Sequence, residues 1–163
     1  MDSAAGLSAS AVSADVQGDS CIVGSFYGTM KAGGVTLKSN GSQDLFVVRL
    51  NPAGKVLWEL AAGGSGENRA TGVAINAAGD CWVAGQFNAS IPFGQLTLVS
   101  PTPPPSSWTT TAFIVRLGST GGAVWGTVSS AGVTDIAVEG ADQVHTVGFG
   151  VSVTKRDPAG QLL

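Results

Sequence analysis

The residues able to do chemistry in this chain are few, and their spacing keeps them apart. His145 is the only histidine. A ring without an identifiable partner to orient it is a poor general base, so a packing role is expected for it. Cys21 and Cys81 are the only cysteines. Two thiols do not report a redox compartment. They read as buried free thiols in strands, with a disulfide between neighbouring units as the alternative. No further cysteine or histidine lies near them in sequence, which argues against a metal pair. Serine and threonine are abundant, yet no G-x-S-x-G elbow occurs. There is no P-loop and no G-x-G-x-x-G opening a helix. Gly63-Gly64-Ser65-Gly66 resembles a phosphate cradle in composition only, because the strand expected after it offers no helix N-terminus. The carboxylates are spread over turns, so no acid/base pair can be named. The expectation is a protein that is not an enzyme, with no catalytic, cofactor or metal residue assigned.

The elements that carry these residues recur. Residues 18–26 read GDSCIVGSF and residues 79–87 read GDCWVAGQF, an offset of 61. Gly33, Thr36 and Leu37 return at the same offset as Gly94, Thr97 and Leu98. Phe46-Val47-Val48-Arg49-Leu50 returns as Phe113-Ile114-Val115-Arg116-Leu117, and Trp58 as Trp125, now at an offset of 67. The six extra residues fall inside SPTPPPSSWTTT. A third copy follows, with DQVHTVGF at 142–149 and VTKRDPAGQLL at 153–163 matching VVRLNPAGKVL at 47–57. Its middle is shorter, and Leu163 falls one residue before the position of Trp58. His145 aligns with Cys21 and Trp82, which places it in a strand.

Each copy has one grammar: a short run, a polar Gly turn, a strand ending at Gly-x-Phe or Gly-Phe, a loop, a Phe/Val/Arg strand, a Pro/Gly turn and a last strand. β-Branched and aromatic residues fill the runs, and Gly, Pro, Asn and Asp fill the turns. No stretch sustains a helical period. Four short strands per repeat predict an all-β array of β-propeller blades, each a four-stranded antiparallel sheet. The expected units are 8–62, 70–130 and 133–163, the last without its outer strand.

Composition agrees with this reading and excludes others. Charged residues make up 12% of the chain and glycine fills 24 positions, as suits an all-β chain with many turns. Hydrophobic residues at 44% are too many for a disordered segment. A net charge of −3 with scattered basic residues argues against nucleic acid. No segment nears the roughly 18 unbroken apolar residues of a membrane helix. Met1-Asp2-Ser3 lacks the positive region of a signal peptide, so the start reads either as that of a cytoplasmic chain or, the favoured reading, as one placed before a mature segment.

The combined pattern resembles the bacterial seven-bladed-propeller-type repeat family. The residues that carry the resemblance are Gly79–Phe87, Phe93–Leu98, Phe46–Trp58 and Gly63–Asn68. It covers nearly the whole chain. It implies a circular array of blades in a secreted or cell-envelope protein, and no single shared activity. A propeller takes roughly four to eight blades, and this chain holds fewer than three. Aligning Leu163 with Leu57 and Met1 with Ala62 leaves four positions between them, those of Trp58-Glu59-Leu60-Ala61. Head-to-tail self-association into a ring, with a dimer favoured, is therefore expected.

In such an array the long loops share one face: 27–44, Gly63–Arg69 and 88–111. That face is the expected binding surface for a protein or glycan. Trp108 follows Pro103-Pro104-Pro105, a stiff polyproline arm. Glu67, Asn68 and Arg69 lie in a Gly-rich loop and could ligate a ligand or cation. Asp19 and Asp80 read as turn residues that bond their own backbone. Trp58 and Trp125 recur in two fourth strands and are expected to cover outer edges. A small oligomeric lectin is the alternative reading, with a propeller-type lyase or dehydrogenase behind it.

Overall fold

The structure, a computed structural model, describes residues 6–101, 110–129, 132–139, 143–148, 152–157 and 159–163. Every regular element among these is a strand. The first sheet, sheet I, contains β1 (Leu7–Ala14), β2 (Ser20–Phe26), β5 (Asp44–Leu50) and β6 (Val56–Ala62), in that spatial order. A hairpin of β3 (Thr29–Ala32) and β4 (Val35–Lys38) lies between β2 and β5 in the chain. Sheet II repeats the plan with β7 (Arg69–Ile75), β8 (Cys81–Phe87), β11 (Thr111–Leu117) and β12 (Ala123–Ser129). Its hairpin is β9 (Ser90–Phe93) with β10 (Leu96–Val99). Sheet III has three strands, β13 (Asp135–Glu139), β14 (Gln143–Gly148) and β15 (Ser152–Arg156). All pairings are antiparallel.

The sequence repeat is reproduced down to its irregularities. The register slips between Ala9 and Ala11 in β1, and between Ala70 and Gly72 in β7. It slips again between Arg49 and Leu50, and between Arg116 and Leu117. A tilted edge-on pair of phenylalanines, Phe26–Phe46 at 6.4 Å, returns as Phe87–Phe113 at 6.0 Å. Turn chemistry also repeats. Asn51 Oδ1 accepts from the N–H groups of Ala53 and Lys55, and Asp157 Oδ1 accepts from those of Ala159 and Gln161. A side-chain oxygen that mimics a backbone acceptor stabilises a tight turn, which explains Asn and Asp at these points.

Strand alternation then stacks the sheets. Call front the face of a sheet that looks toward the next sheet in the chain, and rear the opposite face. Cys21, Val23, Leu45 and Val47 on the front of sheet I share one core with Cys81, Val83, Phe113, Val115 and Leu117 on the rear of sheet II. Trp82, Ala84 and Ile114 on the front of sheet II pack with Ile136 and Val144 of sheet III. Sheet II is therefore covered on both faces, and Trp82 and Phe113 have no exposed surface. Each such large side chain contributes about 1.5–3 kcal/mol by leaving water.

Candidate functional site

Polar side chains concentrate along the seams between sheets. At the seam between sheets I and II, Arg49 in β5 donates through Nη2 to Asp19 Oδ2 at 2.6 Å and through Nη1 to the Ser119 carbonyl at 2.9 Å. Trp58 in β6 donates through Nε1 to the same carbonyl at 2.9 Å. Its indole lies flat on the Gly118–Gly122 turn of sheet II, where a Cβ on Gly121 would stand 2.9 Å from Cδ2 of the ring. The next seam copies this arrangement. Arg116 reaches Asp80 at 2.6 Å and sits 4.9 Å from the Trp82 ring centre, and Trp125 lies on Gly160 in the same way.

Two expectations are changed by this geometry. The carboxylates of Asp19 and Asp80 bond arginine, while Asp15 and Asn76 close the turns in their stead. The recurrence of an arginine alongside each Gly-Asp pair was the available signal. Trp58 and Trp125 link each sheet to the turn of the next one rather than capping an outer edge.

On the long-loop side, the three neighbouring candidates do not converge. Glu67 and Arg69 pair with each other at 3.0 Å, both partly exposed. Asn68 turns the other way and is fully buried. Its backbone N–H donates to the Gln43 carbonyl, and its side-chain amide donates to the Gly66 and Gln43 carbonyls. It thus ties the connection between sheets I and II to the start of β5. Trp108 lies outside the described residues. Asp44, at the start of β5, was not singled out by sequence. It is 1% exposed, and Oδ2 accepts from the Asn40 N–H at 2.9 Å. Burial holds its carboxyl above the ordinary aspartate range, partly offset by the Asn40 N–H and the Asn68 amide.

Cys21 and Cys81 are free, fully buried and face each other across the first seam. A hydrogen bond shared with Cys81, together with burial, pushes the Cys21 thiol far above its ordinary value. A buried thiol held in its protonated form is a poor nucleophile. His145 lies in β14 on the front of sheet III and is half-buried. It meets Glu139 Oε2 at 2.9 Å, and Lys155 reaches the same oxygen at 3.5 Å. His145 and neighbours from Asp135 to Ala137 line a hollow of about 140 Å³. Among the described residues, no three side chains from His, Cys, Asp and Glu gather in a way that could hold a metal.

No protein-family model matches the chain, and no curated protein does. Among solved structures 15 chains match. One is a protein of unknown function from Bacteroides caccae, 14% identical over 72% of this chain, with a TM-score of 0.30. The chain spans about half of that protein, 52% of its length.

Proposed function

We propose that the chain is a run of propeller-type blades that serves as a structural and interaction module, joining head to tail with a second copy. One observation carries this reading: the rear of sheet I repeats the rear of sheet II but is left half-covered. On sheet II, Ile91, Phe93 and Leu98 of the hairpin are buried against sheet I. Their counterparts on sheet I, Met30, Ala32 and Leu37, lie over Phe26, Phe46 and Val48 and stay partly exposed. Repeat arrays bury their core by stacking on neighbours, so an apolar rear face supports the arrival of another blade.

Absolute mass in solution tests the proposal. The expected value is twice the 16.2 kDa of the chain. Leu37→Glu, on the partly exposed rear surface, should return the mass to that of one chain. A monomer at every accessible concentration would overturn self-association.

A further inference from the structure

The two seams share a detail that the rear of sheet I offers without a partner. In each seam a turn glycine at positive φ receives the flat face of a tryptophan from the preceding sheet. Gly121 has φ +86 and receives Trp58; Gly160 has φ +84 and receives Trp125. The left-handed conformation and the missing Cβ are both needed, since a Cβ would stand 2.9 or 3.0 Å from the ring. Gly54 is the same residue of the same turn in the first copy, with φ +74. It is exposed, and no described residue lies within 4 Å of the place a Cβ would take.

A second pair behaves alike. The Arg49 guanidinium covers Gly79, which is buried. Gly18, its counterpart in the first copy, is exposed and among the described residues meets only Pro52. Sheet I therefore carries both receiving turns, with neither a guanidinium nor an indole upon them among the described residues.

We propose that the Gly18 and Gly54 turns form a docking surface for the outer edge of another repeat of this kind, one with arginine in its third strand and tryptophan in its fourth. This rests on the blade-stacking reading above and names the chemistry of the arriving edge. The ring settles on Gly54 and its N–H donates to the Pro52 carbonyl, as Trp58 donates to Ser119. The guanidinium covers Gly18. The third copy as given carries neither of these two residues. It places Lys155 where the others place arginine, and the tryptophan position follows Leu163.

The test continues the third copy through its fourth-strand positions. The chain is extended after Leu163 by Trp-Glu-Leu-Ala, the residues found at 58–61, and association is measured by sedimentation velocity against the unextended chain. The extension should tighten association at least tenfold. Gly54→Asn should remove that gain, because asparagine tolerates positive φ but brings a Cβ into the ring's place. Gly34→Asn, at another exposed positive-φ turn with open space around it, should leave the gain intact. An extension without effect, or a gain that survives Gly54→Asn, would overturn the docking surface. Dimerisation of the unextended chain without any gain would overturn the socket and leave self-association standing. A monomeric unextended chain that associates once extended would do the reverse.

Discussion

Met30 and Ile91 occupy the same place in two copies of one repeat, yet only Ile91 is sealed from water. The hairpin that carries each has the same length and the same fold. The difference lies entirely in what comes before it. Sheet I precedes sheet II and closes over Ile91, while the described chain puts nothing before Met30. Burial here is a property of the neighbour, so stability should be unequal between copies of nearly identical sequence.

The largest expected effect tests that inequality directly. In the Leu37→Glu background, which keeps the chain single, Ile91→Ala should lower unfolding free energy by about 2–5 kcal/mol, the range for a buried aliphatic residue, and Met30→Ala by less than about 1 kcal/mol. Urea midpoints of the two variants would measure it. Equal losses would show that the rear of sheet I is covered in solution as well. Trp58→Ala comes next. Loss of the Ser119 bond and of the contact with Gly121 should cost about 2 kcal/mol, read in the same titration.

The connection between sheets I and II should respond to pH through Asp44. Its folded carboxyl binds its proton more tightly than the unfolded one, because burial disfavours the charge. The folded state therefore holds more protons than the unfolded state over that range, and stability falls as pH rises from about 4. Asp44→Asn keeps an acceptor for the Asn40 N–H and removes the charge. It should flatten that part of the stability–pH curve, followed by urea midpoints from acid to neutral pH. An unchanged slope would assign the effect to another group.

Smaller still is the effect at the thiols. Cys21 and Cys81 should not react with an aromatic disulfide reagent in the folded protein, and both should react in denaturant. A native thiol that reacts within seconds would mean that the first seam opens readily. The smallest change is expected on the front of sheet III. Glu139→Gln removes the partner of His145 and Lys155 at an exposed site, and the unfolding midpoint should stay within error.

The copies of Gly-Asp, Gly-x-Phe, Phe-x-Val-Arg-Leu and Pro-Ala-Gly mark the sheet strands and their turns in the sequence itself, whereas the stretches 27–44 and 88–111, expected as loops, each hold a hairpin. Those patterns work because alternation and turn chemistry are local: Asn51 and Asp157 close their turns with atoms at most four residues away. The candidate residues fared differently. Glu67, Asn68 and Arg69 look like one cluster in sequence, but neighbouring residues of a strand or its approach point to opposite sides. Asn68 consequently went inward while the other two paired outside. The landing of Trp58 on a turn 61 residues away, the meeting of Cys21 with Cys81, and the open turn at Gly54 were decided by tertiary structure alone. Each depends on which sheet lies against which. Sequence determines the faces of a strand; only stacking decides what each face touches.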